Sequence, residues 1–454
     1  MISYKLYAIT DRSWLAENES LAEAVEDAIL GGATIIQLRE KHLDYNELRE
    51  LALSVQKVCQ KYKVPFIIND NVELAAEIDA DGVHVGQSDT SVEKARKILG
   101  PDKIVGATAK TVEQAKTAEA QGADYLGSGA VFGTTTKLDA KFMTMELLKE
   151  ITASVNIPVV AIGGITAENV GKLRGSQIAG PAVVSGIFAK KNKCRAAQNI
   201  ISNFFGRPVI QCITNHVTVN SVANMVLACG ASPIMAHNIR EVAEVQENAA
   251  GLLLNLGATD DYEAMKIAYA KALELGHPVV IDPVGVSAIG FRRSFLAELL
   301  EIGSPSCIRG NYAEIRAIYE NRMTATGLEA YETVHESGKL NEGATDIEEA
   351  ALKLAERLCC IVVASGEKDI ITDGNTVVYA ESGHPMQKSL TGSGCMLSAA
   401  IISEIARNAD SFGILQNAVM TCRRLGDAAA AAAEQIIKEE KGIFSFQSLW
   451  FDLI

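Results

Sequence analysis

Short apolar runs recur along residues 1–190: Lys5–Thr10, Thr34–Arg39, Pro65–Asp70, Gly82–Val85, Ile104–Thr108, Tyr125–Ser128, Pro158–Ile162 and Ala182–Ser185. Between them, apolar residues return every three or four positions, as in Leu21–Leu30, Tyr45–Tyr62, Val92–Leu99 and Val112–Gln121. The pattern predicts eight strands alternating with helices, the layout of a (β/α)8 TIM barrel. A doubly wound sheet would show the same alternation. The polar residues separate the two readings, because they gather at the C-terminal ends of the strands. Gln37, Arg39 and Lys41 follow the second, Asn69 and Asp70 the third, Asp89 the fourth, and Thr108 sits on the fifth. That end of a barrel carries its active site.

From residue 207 the pattern changes. Pro208–Ile213, Ser232–Met235, Leu252–Leu256, Val279–Asp282, Cys307–Gly310 and Ile361–Ser365 are almost continuously apolar. Such runs fit parallel strands buried on both faces. Amphipathic stretches at Val219–Cys229, Tyr262–Leu275, Phe291–Glu301, Ile347–Leu358 and Leu415–Glu434 would cover them, giving a doubly wound α/β domain. Ala428–Ala433 reads as a tightly packed helical segment. No Gly/Ser/Pro linker joins the halves. Lys193–Phe205 reads as one helix ended by Gly206 and Pro208. The division falls between residues 1–195 and 196–454, and that helix is expected to cover the bottom of the last barrel strand and to start the second domain.

A chain of 454 residues supports two cores. A net charge of −14 disfavours a nucleic-acid partner. No run of about 18 apolar residues predicts a membrane span. Met1–Lys5 leads straight into a strand, without a signal-peptide pattern. The nine cysteines are an odd number with no metal-type Cys-x-x-Cys pair, as expected for reduced thiols in a cytoplasmic protein.

The sharpest chemical signal is Thr391-Gly-Ser-Gly-Cys395 running into the apolar stretch Met396–Ile405. A glycine turn opening a helix makes a phosphate site, since its N–H groups and helix dipole favour an anion. Cys395 stands where a base would deprotonate an alcohol, its thiolate favoured by the helix N-terminus. In the first half, Gly163-Gly164 and Ser185-Gly186 fall at the usual phosphate position of a barrel. The Gly127–Lys137 loop suits a second anion. Asp70 and Asp89 are hard oxygen ligands for Mg²⁺, with Arg39, Lys41 and Lys137 placed to grip a diphosphate. Taken singly, Asp70 or Asp89 reads as a turn or cap residue, and His84 as a packed strand histidine rather than a base.

Gln37-Leu-Arg-Glu-Lys41, Asn69-Asp70, Gly82–Gln87 with Asp89, Thr134–Lys137, Ala161–Gly164 and Val183–Ser185 together resemble thiamine-phosphate synthases over residues 3–190. The resemblance implies that a hydroxymethylpyrimidine diphosphate is joined to a thiazole phosphate. It implies that Gln37, Arg39, Lys41, Asn69, Thr108 and Lys137 hold the pyrimidine diphosphate. Asp70 and Asp89 would hold Mg²⁺, and Thr134, Thr136, Gly164, Val184 and Ser185 the thiazole phosphate. Members of that family usually carry prolines where this chain has Ala130 and Gly133.

Gln211–Asn215, Ala231–Ala236, Ile281–Gly285, Ile308–Glu314, Ser365–Glu367 with Asp369, and the Thr391–Cys395 turn resemble hydroxyethylthiazole kinases of the ribokinase-like superfamily, over residues 200–454. By that resemblance Arg309 and Ser365 contact ATP, Met235 and Gly392 contact the thiazole, and Glu314 and Asp282 organise Mg²⁺. Met235 alone would read as core. Gly442–Phe446 is less glycine-rich than is usual there. The kinase family implies a homo-oligomer, a trimer or hexamer. Since the kinase product is the synthase's second substrate, the two resemblances imply a bifunctional thiamine-phosphate synthase/hydroxyethylthiazole kinase. A kinase for another small alcohol, or a second domain kept for ligand binding or assembly, stays open from the residues alone. A barrel isomerase lacks a placed general base.

Overall fold

The starts of the barrel helices are written locally. Ser20 and Asp44 each accept the backbone N–H three residues on, and Glu23 and Glu47 return the bond, so two capping boxes open Leu21–Leu30 and Tyr45–Tyr62. Asn71, Ser91, Thr111 and Thr144 cap the helices that follow them in the same way, without the return bond. The computed structural model describes residues 2–133, 142–320, 346–408 and 412–454. Two compact units divide between Gly206 and Arg207.

In the first unit eight parallel strands close into a barrel: β1 (Tyr7–Ile9), β2 (Ile35–Leu38), β3 (Phe66–Asn69), β4 (Gly82–Val85), β5 (Ile104–Thr108), β6 (Tyr125–Gly129), β7 (Val159–Ile162) and β8 (Gly180–Val183). β1 pairs with both β2 and β8, which leaves no free edge. Tyr7, Ile9, Ile35, Ile67, Ile104, Tyr125, Val160 and Ala182 fill the interior. β8 begins and ends two residues earlier than its sequence run, because Ser185 opens a short helix, Ser185–Phe188.

The helix Lys193–Phe205 lies wholly in this unit. Asn192 caps it, and buried Lys193 pairs with Glu19 at 2.5 Å. It packs on the C-terminal end of Leu21–Leu30 so closely that a Cβ on Gly31 would stand 2.3 Å from the Cys194 carbonyl oxygen. Arg174 donates to the carbonyls of Asn203 and Phe204 at its far end.

The second unit holds one eight-stranded sheet in the order β10-β9-β11-β12-β13-β14-β15-β16. These strands are β9 (Val209–Ile213), β10 (Ser232–Ile234), β11 (Gly251–Asn255), β12 (Val279–Asp282), β13 (Cys307–Asn311), β14 (Ile361–Ser365), β15 (Asp369–Thr372) and β16 (Val377–Ala380). The first six in chain order are parallel, as the apolar runs suggest. β14, β15 and β16 pair antiparallel, so the sheet is mixed. That hairpin was not anticipated, although Asp373-Gly374-Asn375 between its strands is a turn signal. Burial on both faces explains the continuous apolar runs: Leu253 and Val280 join the core on one side, Leu252, Leu254, Val279 and Ile281 the core on the other. The helix Ser393–Arg407 and the long helix Ile414–Lys438 cover the first face. Within the latter, Ala428, Ala429, Ala432 and Ala433 are buried. Strand order reverses between β9 and β11, so the crevice beyond their C-terminal ends is where an open α/β sheet binds its ligand. Among the described residues no helix is long and apolar enough to cross a membrane.

Candidate active sites

In the barrel, Gln37, Arg39, Asn69, Thr108, Gly164, Val184 and Ser185 line one cavity at the C-terminal end of the strands. Strand direction does this, since each is the last inward position of its strand or the first residues beyond it. Gly163 and Gly164 have positive φ and lie against the stretch after β6: a Cβ on Gly164 would meet the Gly133 carbonyl oxygen at 2.0 Å. Only glycine allows that approach. Thr134, Thr136 and Lys137 lie outside the described residues.

Asp70 follows Asn69 with φ 62, a left-handed conformation that short polar side chains tolerate. Its carboxyl is pushed up to about 6 by burial, then by its hydrogen bond and charge interaction with Asp89, with Lys41 opposing. Asp89 itself is held by the Gly86 N–H at 2.8 Å. Two converging carboxyls that resist sharing negative charge fit a divalent cation. His84 packs in its strand, its ring beside Gly127, but it is also cavity wall. Its Nδ1 bonds the Tyr125 hydroxyl at 2.9 Å and its Nε2 the Thr108 hydroxyl at 3.0 Å.

In the second unit a polar cluster sits at the C-terminal ends of β11, β12, β13 and β14. Asn255 Nδ2 donates to Asp282 at 2.8 Å and to Cys395 Sγ at 3.1 Å. Its Oδ1 accepts from Asn215 Nδ2 and from the Gly257 N–H, both at 3.0 Å, so the amide is fixed. Asp282 also bonds the Cys395 thiol and Ser398, and burial raises its carboxyl. Glu314 accepts the backbone N–H groups of Gly285 and Asn311, each at 2.8 Å. Asn311 in turn caps Glu314 N at 2.9 Å, so Asn-x-x-Glu is a reciprocal cap at the start of a helix. Burial and then Asp282 push Glu314 up to about 7. Buried Arg309 donates to Ser365. Its guanidinium lies over the glycine turn, 2.3 Å from where a Gly394 Cβ would stand.

Gly392 has φ 81 and faces the Thr218 methyl, which excludes any side chain. Met235, just past β10, packs half-buried against the core of the Ser393–Arg407 face. One expectation is corrected. The Cys395 thiolate is not favoured on balance: burial, and then Asp282, push its thiol well above the ordinary cysteine range.

The thiamine monophosphate synthase family model matches residues 6–187, and the hydroxyethylthiazole kinase family model matches residues 201–453. A thiamine biosynthetic bifunctional enzyme of Saccharomyces cerevisiae is 32% identical, over 92% of this chain and 89% of its own. A probable one from Schizosaccharomyces pombe is 31% identical, over 88% and 84%. The chain belongs to this bifunctional family. Its first unit taken alone is 47% identical to a thiamine-phosphate synthase of Clostridium acetobutylicum, over 44% of this chain and 96% of that one.

The sequence reading missed several residues in both units. In the synthase unit these are Tyr7 and Tyr125, whose hydroxyls meet at 2.6 Å. In the kinase unit they are Asn255, Ser398 and Thr218. Asn255 had a signal: a polar residue inside the otherwise apolar run Leu252–Leu256 needs partners when buried.

Proposed function

We propose that the kinase unit phosphorylates 4-methyl-5-(2-hydroxyethyl)thiazole with ATP. The synthase unit then couples the thiazole phosphate to 4-amino-2-methyl-5-hydroxymethylpyrimidine diphosphate, giving thiamine phosphate and pyrophosphate. The observation that carries this is the pairing, in one chain, of two polar clusters at strand C-termini whose families hand one product to the other.

In coupling, the bond from the pyrimidine methylene to the diphosphate oxygen breaks, and the diphosphate leaves with the electron pair. The thiazole nitrogen donates its lone pair to the methylene carbon. Neither half needs a protein nucleophile. Arg39, Lys41 and Lys137 stabilise the departing diphosphate, while Gln37, Asn69 and Thr108 hold the ring and its chain. Gly164, Val184, Ser185, Thr134 and Thr136 hold the thiazole phosphate. Asp70 and Asp89 are the residues for Mg²⁺, which when bound supplies positive charge to the leaving group.

In phosphorylation, Arg309 and Ser365 take the ATP phosphates and the Gly392 turn receives the thiazole with Met235. Asp282 and Glu314 are the residues for the kinase's Mg²⁺. Cys395 takes the hydroxyl proton as its thiol passes its own proton to the Asp282 carboxylate bonded to it. Assembly as a trimer or hexamer through the kinase unit, and a cytoplasmic setting consistent with nine free cysteines, complete the reading.

Product analysis tests it. Thiazole alcohol, ATP, Mg²⁺ and the pyrimidine diphosphate together should yield thiamine phosphate, and omitting any one should abolish it. Coupling of supplied thiazole phosphate, with phosphorylation only of another alcohol in a substrate panel, would replace the kinase assignment.

A further inference from the structure

The backbone that leaves β7 is held bond by bond. The Gly163 carbonyl accepts the Phe132 N–H at 3.0 Å. Asn169 then brackets the peptides that follow. Its Nδ2 donates to the Gly164 carbonyl at 2.8 Å, and its Oδ1 accepts the Thr166 N–H at 2.9 Å. A backbone N–H only donates and a carbonyl only accepts, so this amide has a single orientation. The Ile165 carbonyl faces Gly186 so closely that a Cβ there would stand 2.4 Å away. Among the described residues, the N–H groups of Gly164 and Ile165 have no protein partner.

Those two N–H groups are consecutive, and both residues line the cavity, whereas Asn169 is half-buried outside its wall. In a trans peptide the N–H points away from the C=O. Drawing the Gly164 oxygen toward Asn169 therefore turns the Ile165 N–H the opposite way. The Phe132 bond to Gly163 turns the Gly164 N–H in the same manner. Gly164 has φ 62, and successive N–H groups in such a turn form a concave anion site. Ile165 is 3% exposed. Buried backbone N–H groups are nearly always paired, so these two call for a ligand that accepts hydrogen bonds.

We propose that Asn169 is a positioning residue for the thiazole phosphate. By gripping the Gly164 carbonyl and the Thr166 N–H, it aims the Gly164 and Ile165 N–H groups at the phosphate oxygens. The inference rests on the coupling reaction proposed above. It deepens that reading by adding a backbone donor at Ile165 and a side chain that acts without touching the substrate. The groups so aimed recognise a phosphate monoester, and the unphosphorylated alcohol offers them no anion.

Two measurements on the full-length protein test it. The first is the kinetics of coupling with supplied thiazole phosphate. Asn169→Ala should raise KM for thiazole phosphate about tenfold, the worth of one hydrogen bond. Its kcat and its KM for the pyrimidine diphosphate should stay unchanged, the mark of lost binding rather than lost chemistry. Asn169→Gln should recover most of the loss, because a longer amide can still reach back to a turn N–H as in a capping box. Retained thiazole phosphorylation checks that the variants are intact. The second is the ¹⁵N–¹H spectrum of isoleucine-labelled parent protein, with Ile165 assigned by its loss in Ile165→Val. The Ile165 amide should shift on adding thiazole phosphate and not on adding the thiazole alcohol. This shift decides alone if Asn169→Ala fails to fold. An unmoved Ile165 amide in parent protein that couples normally overturns the inference alone. So does an unchanged KM for thiazole phosphate in active Asn169→Ala, or a variant that loses kcat and affinity for both substrates alike. Parent protein that does not couple thiazole phosphate overturns the function on which it rests.

Discussion

The two units place charge differently. In the synthase unit Lys41 and Asp89 are exposed and Arg39 and Asp70 half-buried, while the strand residues Gln37, Tyr7, Tyr125, His84 and Thr108 that line the cavity include no carboxylate, lysine or arginine. In the kinase unit the charges are inside. Asp282 is 1% exposed, Glu314 4%, Arg309 8% and Cys395 6%. Buried charges persist only when bonded and paired. Asp282 has Asn255, Cys395 and Ser398, with Arg309 nearby, and Glu314 has two backbone N–H groups. The difference follows the chemistry. A barrel that lets a diphosphate leave can take charge from cation and substrate at its rim. A kinase that holds triphosphate beside an alcohol builds its electrostatics into the sheet ends. Kinase-unit substitutions should therefore threaten folding as well as turnover, and synthase-rim substitutions turnover alone.

The largest expected effect tests whether the barrel is self-contained. The helix Lys193–Phe205 belongs to its packing, with Ile200 and Ile201 fully buried. A fragment ending at residue 198 lacks both and should be less stable than one ending at 206 by about 3–6 kcal/mol, at about 1.5–3 kcal/mol for each buried side chain. Urea unfolding of the two fragments measures the gap. Equal stabilities would show that the helix contributes nothing to the barrel.

Next is the kinase unit's buried Glu404. Burial pushes its carboxyl up, but Arg407 and Arg424 outweigh that and hold it below its ordinary value. Arg424 lies 2.6 Å away, Arg407 is also paired with it, and all three are at most 5% exposed. Glu404→Gln removes a buried carboxylate that pairs with both guanidiniums and should cost about 3–5 kcal/mol. The temperature at which kinase activity is lost should fall by roughly 10 °C. No fall would mean that these charges are already solvated, and the contrast between the units would weaken.

The same contrast shows what the sequence could and could not tell. Strands β4 and β5 and the helices Leu21–Leu30, Tyr45–Tyr62 and Val92–Leu99 fall on the boundaries expected from periodicity and caps. The rim residues were legible because strand ends are local features. The interior contacts were not. Tyr7 meets Tyr125 across 118 residues, and Asn255 meets Cys395 across 140. No local pattern encodes a bond that exists only once a barrel closes or a sheet orders its strands. The β15–β16 hairpin was missed for another reason: its first strand overlaps a motif already read as part of the ATP site.

Removing rim charge comes third. Arg39→Ala or Asp70→Asn should lower coupling about 10²-fold, the typical worth of one preorganised stabilising group. Thiazole phosphorylation should stay unchanged. Asp70→Asn should not lower the melting temperature, because it relieves the contest between Asp70 and Asp89 for negative charge. A matching fall in kinase turnover would break the separation of sites.

The smallest effect, and the finest test of the buried site, is at Cys395. Phosphoryl transfer depends mainly on positioning and electrostatics, so the proton acceptor adds a modest share. Cys395 is also a weak acceptor, since burial and Asp282 raise its thiol further above a free cysteine value of about 8.5. Cys395→Ala should therefore keep measurable kinase activity. Cys395→Asp places a second carboxyl against Asp282, where the pair can share one proton, leaving one negative charge near the substrate hydroxyl. That charge is a stronger base at pH 7 than a raised thiol, and Arg309 nearby helps to hold it. The variant should match or exceed the parent in kcat, with coupling of supplied thiazole phosphate unchanged. Saturating kcat for parent, Ala and Asp proteins at pH 7, beside their melting temperatures, decides the point. If Asp were no better than Ala while both folded and bound thiazole normally, Cys395 would be a packing residue, and proton acceptance would fall to another group of the buried cluster.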